Sequence, residues 1–190
     1  MALWGITDAD ESKPKWAVRG GVVDPSNIFA TESGWILRHY KNAAKTEYWD
    51  EVIVAVDGLV GAGGRGTDTL GNADITAVYF EETGYAGGAT GSVVVIYNEQ
   101  VDVTNGATLV VRNTTDSANI TATAAAQTGV NRVEFTFTAA ATGKAHAIQA
   151  QTISGTIVDT TGGATSDKAF ATGDVVGAGG SGSTATFTAS

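Results

Sequence analysis

Few residues in this chain have the types and spacing that chemistry requires. Gly61-Ala62-Gly63-Gly64-Arg65-Gly66 matches GxGxxG and follows an apolar run, and Gly177-Ala178-Gly179-Gly180-Ser181-Gly182 matches it after Val175-Val176. A dinucleotide site needs a helix to begin at such glycines, so that its first amides meet the pyrophosphate. The first match runs into Thr67-Asp68-Thr69-Leu70-Gly71-Asn72 and the second lies near Ser190, so both read as backbone loops. His39 and His146 are the only histidines and sit in separate predicted strands. They read as strand or core residues, not as ligands of a metal, which would need a cluster. Asp50-Glu51 and Glu81-Glu82 are adjacent carboxylates, which point to opposite faces of a strand and share no acid/base site. A Ca²⁺ site from Glu81, Glu99 and Asp102 converging at one end of a sandwich is disfavoured, because the residues lack the spacing of an EF-hand or calcium repeat. No GxSxG elbow supports a Ser-His-Asp triad, and no carboxylate pair suits a glycosidase. The chain reads as non-enzymatic, with no cofactor and no resident metal.

The elements around these residues are β. Charged residues make up only 16% of the chain, and 25 glycines punctuate stretches of Val, Thr and Ala, as many short strands with tight turns require. Two strands, 34–42 and 46–57, form a hairpin through Ala43-Ala44-Lys45, with a short helix at 41–50 as the alternative. Val52-Ile53-Val54-Ala55-Val56 suits a strand buried on both faces. A glycine-rich loop over 58–74 marks a boundary. Beyond it, strands are expected at 76–81, 92–103, 107–113, 118–124, 131–138, 145–153 and 183–188. Asn105-Gly106 and Gly162-Gly163 are among the turn signals between them. About seven short strands in such a series predict an immunoglobulin-like sandwich over 75–190. The fold class is therefore all-β: an N-terminal extended arm and small β region over 1–74, then the sandwich.

The net charge is −9 and the 11 Lys and Arg are scattered, which argues against nucleic acid and anionic membranes as partners. No stretch approaches the roughly 18 apolar residues of a membrane helix, and no signal peptide is visible at the start. The absence of cysteine excludes disulfides and thiolate chemistry and fits a cytosolic product, or an extracellular particle assembled in a reducing cytoplasm. The composition is sharply divided: all four tryptophans, Trp4, Trp16, Trp35 and Trp49, lie in the first 49 residues. Aromatic and arginine side chains anchor interfaces. Trp4, Trp16, Arg19, Trp35, Arg38, Tyr40 and Trp49 are therefore the candidate partner-binding residues.

The opening MALWGITDADESKPKW, with ESGWILRHYKN and EYWDEVIVAV, resembles the N-terminal region of virion structural proteins of marine tailed phages, including those of cyanobacteria. The matching residues are Met1 to Gly5, Asp8, Lys13 to Lys15, Gly34-Trp35 and Glu51 to Val56, within roughly the first 75. Residues 78–113 are similar in style to the first strands of bacterial and phage Ig-like domains. The resemblance implies a virion component made in the host cytoplasm. The leading expectation is a capsid decoration (cement) protein that binds the major capsid protein and displays its Ig-like domain, as a homo-oligomer on the virion. A tail, neck or fibre-associated subunit is the alternative within the virion. A surface adhesin or carbohydrate-binding module is the alternative from another class, with Trp35, Tyr40 and Trp49 stacking on sugars such as cell-surface glycans.

Overall fold

The computed structural model describes residues 25–31, 34–55, 72–160, 163–180 and 185–190. The described chain is all-β. Its helical turns are short 3-10 segments at Pro25–Asn27, Thr172–Asp174 and Ala178–Gly180, and no described helix is long and apolar enough to cross a membrane. In chain order the strands are β1 (Ile28–Thr31), β2 (Gly34–Tyr40), β3 (Tyr48–Ala55), β4 (Ile75–Phe80), β5 (Thr90–Val103), β6 (Ala107–Asn113), β7 (Ala118–Ala124), β8 (Gln127–Thr138), β9 (Ala145–Ile148), β10 (Gln151–Thr152), β11 (Ile157–Asp159), β12 (Ala169–Phe170) and β13 (Thr186–Thr188).

Alternation places the sandwich core. Val133, Phe135 and Phe137 of β8 turn inward, while Glu134 and Thr136 turn away. β6 buries Ala107, Leu109, Val111 and Asn113 in the same way. The sheet path runs β11-β5-β8-β7-β6-β9-β13, with β4 also on β5. β7 and β8 share one registered pair, Thr123 with Thr136, and the path folds there into two layers. β6 and β7 pair along their whole length, so one layer holds β4, β5, β8 and β11 and the other β7, β6, β9 and β13.

The last strand joins the layers. Phe187 meets Phe80 edge-on at 4.9 Å, Tyr85 at 5.1 Å and Phe137 at 6.3 Å, and stacks flat on His146 at 4.4 Å. His146 is buried, and its Nε2 accepts the Ala140 N–H at 3.0 Å. Burial holds its imidazole below the usual histidine range. It is a core residue.

The sequence predicts one strand over 145–153, but the chain leaves β9 at Gln149 and starts a long excursion before β13. The Gln151 amide takes the place of a strand neighbour: its Nε2 donates to Val110 O and its Oε1 accepts the Val110 N–H, both at 2.7 Å. The excursion then inserts Ile153, Ile157, Phe170 and Val175 into the core. β11 pairs with β5, and Val176 N–H donates to Val78 O, so the excursion covers edges that the first sheet would otherwise leave open. Gly155 permits its approach. Its φ is +97°, and a Cβ there would lie 2.7 Å from Ala107 Cα. β10 to β12 are too short for a periodic signal, and the sequence did not show them.

The first sheet is also covered on its outside. Ala77, Tyr79, Val94 and Ile96 form a second buried cluster with Val176. The Pro25–Asn27 turn and β1 lie against β5, and Asn131 Nδ2 donates to Ser26 O at 2.6 Å. Within the expected N-terminal arm and small β region, the stretch from Pro25 is therefore seated on the chain's own sandwich; residues 1–24 lie outside the described residues, as does most of the boundary loop. β1, β2 and β3 form a separate antiparallel sheet in that order.

Candidate functional site

The candidate site is the β2–β3 hairpin. It forms as the residue pattern predicts, and the helical alternative at 41–50 does not occur. Asn42 sets the turn: its Oδ1 accepts the Thr46 N–H at 3.0 Å, and its Nδ2 donates to Thr46 Oγ1. Lys45 takes the left-handed conformation at φ 56°. Lys41 N–H donates to Glu47 O at 2.8 Å, and the register continues as Tyr40 opposite Tyr48, His39 opposite Trp49 and Arg38 opposite Asp50.

That register sorts side chains by face, because opposite residues share one. Arg38 and Asp50 occupy the first face, joined by a two-toothed ion pair at 2.8 and 2.9 Å. The guanidinium also lies over the Tyr48 ring at 3.8 Å and the Phe29 ring at 4.8 Å. The Asp50 hydrogen bonds raise the Arg38 pKa above its ordinary value. Tyr40 meets Tyr48 edge-on, and Lys45 lies over Tyr40. On the second face His39 stacks on Trp49 at 4.1 Å, and His39 Nε2 lies 2.9 Å from Glu51 Oε2. A bulge between Trp35 and Ile36, opposite Val54 and Val52, separates this outer part from the buried root.

The candidate partner residues divide accordingly. Trp35 is 3% exposed and belongs to the root with Ile28, Phe29 and Ile36, so it supports the hairpin and offers no contact surface. Trp49 is 50% exposed. Arg38 and Tyr40 are half-buried beside it but on the opposite face. Trp4, Trp16 and Arg19 lie outside the described residues. The sugar platform expected from Trp35, Tyr40 and Trp49 does not form: one ring is buried and the other two face opposite ways.

Burial of the Val52 run on both faces is also overturned. Val52 is 51% exposed and Tyr48 48%, because β3 is the outermost described strand of its sheet and nothing described packs over its outer part. The residue types did not single out Tyr48 and Val52. The signal was available in the register, since counting back from the Asn42 turn sets Tyr48 against Tyr40 and Asp50 against Arg38.

The other chemical candidates resolve into structural roles. Glu81 pairs with Arg132. Asp102 accepts the Gly129 N–H and the Thr160 hydroxyl, both at 2.8 Å. Glu99 stands apart, its carboxyl pushed up to about 7 by burial and then by Asp159 and Asp74. The disfavoured Ca²⁺ set of Glu81, Glu99 and Asp102 does not form: no group of three metal-ligating side chains occurs among the described residues. The Gly61–Gly66 motif lies outside the described residues. In the second glycine motif, Ala178–Gly180 is a single 3-10 turn and starts no longer helix among them. Neither a protein family, nor a curated protein, nor a solved structure matches the chain.

Proposed function

We propose that the chain is a non-enzymatic structural protein of a tailed-phage virion, a decoration protein that binds the head shell and displays its β-sandwich outward. The observation that carries this reading is the exposed apolar part of β3. Tyr48, Trp49 and Val52 stand half in water on a strand whose two carboxylates already have partners within the hairpin. Exposed aromatic residues beside satisfied charges suit a contact between subunits. The phage-like opening and the matching Gly34-Trp35 and Glu51 to Val56 supply the virion context. The many copies on a shell turn a small contact into firm attachment.

Copy number tests the reading directly. Quantitative mass spectrometry of purified virions is expected to give one copy per major capsid protein, or one per three. A handful of copies per particle would assign the chain to the tail or neck. Absence from the particle would overturn the proposal.

A further inference from the structure

We propose that the outer edge of β3, over residues 48–52, pairs antiparallel with the same strand of a second copy of this chain, about a two-fold axis at Asp50. This rests on reading the hairpin as a contact element, and it holds whether or not the chain sits on a virion.

The exposure pattern favours strand addition over face-on docking. Tyr48 and Val52 project from one face of β3 and Trp49 from the other, and each is about half exposed. A partner laid on one face would cover only one set. A strand added along the edge places neighbours beside both. No described strand lies on that edge, and residues 48–52 contain no Lys, Arg or Pro to block it. The bulge beyond Val52 ends the regular stretch and confines pairing to these positions.

Charge selects the register. β3 carries Asp50 and Glu51, so a strand pairing with its own copy brings carboxylates close. A two-fold at Asp50 sets Tyr48 against the partner's Val52 and Trp49 against the partner's Glu51. The apolar side chains of the first face then cover each other across the edge. The two Asp50 carboxylates meet at the axis, but each is held by its own Arg38 at 2.8 and 2.9 Å. Shifting the axis to Glu51 would set Asp50 against Val52 and lose the Tyr48–Val52 pairs. Arg38 is therefore the residue that makes this self-pairing electrostatically tolerable.

Sedimentation equilibrium of the full chain tests this. The wild type is expected to form a dimer that dissociates in the micromolar range, as befits a short strand pair. Val52→Lys places a charge opposite Tyr48 twice per dimer and is expected to weaken it about tenfold or more. Arg38→Met keeps the apolar stem over Tyr48 but leaves the axial carboxylates uncompensated, with a similar loss. Adding Asp50→Asn to Arg38→Met is expected to restore the dimer, a rescue that a damaged hairpin would not show. A wild type that stays monomeric at all concentrations would overturn the inference. So would a dimer whose dissociation constant ignores both Val52→Lys and Arg38→Met. A dimer from a chain absent from virions would retain this inference and remove the proposed function; a monomer found on the shell would do the reverse.

Discussion

Val93-Val94-Val95-Ile96 in β5 and Val52-Ile53-Val54 in β3 read alike as β-branched runs, yet they meet opposite environments. All four residues of the β5 run are fully buried, whereas Val52 is half exposed. The difference lies in their neighbours. β5 has β8 along one edge and β4 and β11 along the other, the aromatic core beneath it, and the Ala77–Tyr79–Val176 cluster with the Pro25–Asn27 turn outside. β3 has β2 on one side and no described strand on the other. A β-branched run thus specifies a strand, and burial is decided by what arrives around it. The two regions also use aromatic rings differently. In the sandwich they meet one another inside the core, and on the hairpin they flank an ion pair at the surface.

Substitutions can break this contrast in decreasing order of effect. Phe187→Ala removes the ring that joins both layers and is expected to cost about 3–5 kcal/mol in urea unfolding. A loss below about 1 kcal/mol would mean that the last strand does not lock the sandwich. Trp49→Ala is expected to weaken attachment to purified shells lacking the protein by about 2 kcal/mol, while folding stability shifts by no more than about 0.5 kcal/mol. A large loss of stability with unchanged attachment would make Trp49 a core residue and reverse the contrast.

Glu99→Gln acts at the sandwich end with a defined pH sign. The folded carboxyl is pushed up to about 7, so between the ordinary carboxylate range and that value the folded state holds a proton that the unfolded chain has released. Stability is therefore fullest at low pH and falls as pH rises towards 7. Glu99→Gln is expected to flatten that fall. With the group partly exposed, the gain at pH 8 is about 1 kcal/mol, or roughly 2–4 °C in Tm, vanishing near pH 4. A variant whose melting curve follows the wild type at both pH values would show that the Glu99 carboxyl is not held protonated. The smallest effect is expected from Lys144→Ala. It removes a surface pair with Asp116, whose carboxyl is held below its ordinary value first by Lys144 and then by Asn113. Thermal melts should move by no more than one or two degrees, and a larger drop would show that this turn matters to the sandwich.

Much of the fold was legible because its signals are local. The alternation in Val133-Glu134-Phe135-Thr136-Phe137-Thr138 set both the strand and its inward face. Asn105-Gly106 marked the β5–β6 turn, whereas Ala43-Ala44-Lys45 left a helix at 41–50 open beside the hairpin, and the Asn42 side chain decides for the turn. The excursion between β9 and β13 was not legible. Its strands are two or three residues long, and they form because β4, β5 and β6 offer open edges, which no local pattern announces. At the candidate site the residue types were legible and their accessibility was not. Trp35 and Trp49 are equally hydrophobic, but one lies in the buried root and the other beyond the bulge.

The sequence by itself determined an all-β chain, the positions of most strands, and an aromatic N-terminal quarter distinct from a Val-Thr-Ala sandwich. Those follow from period-two alternation and turn chemistry, which act over a few residues. Only the tertiary structure decided the order of strands across the sheets, the covering of the first sheet by a distant excursion, and the pairing of Arg38 with Asp50 on a face away from Trp49. These depend on contacts between residues far apart in the chain, where register and neighbours, not residue type, determine which side chains reach water.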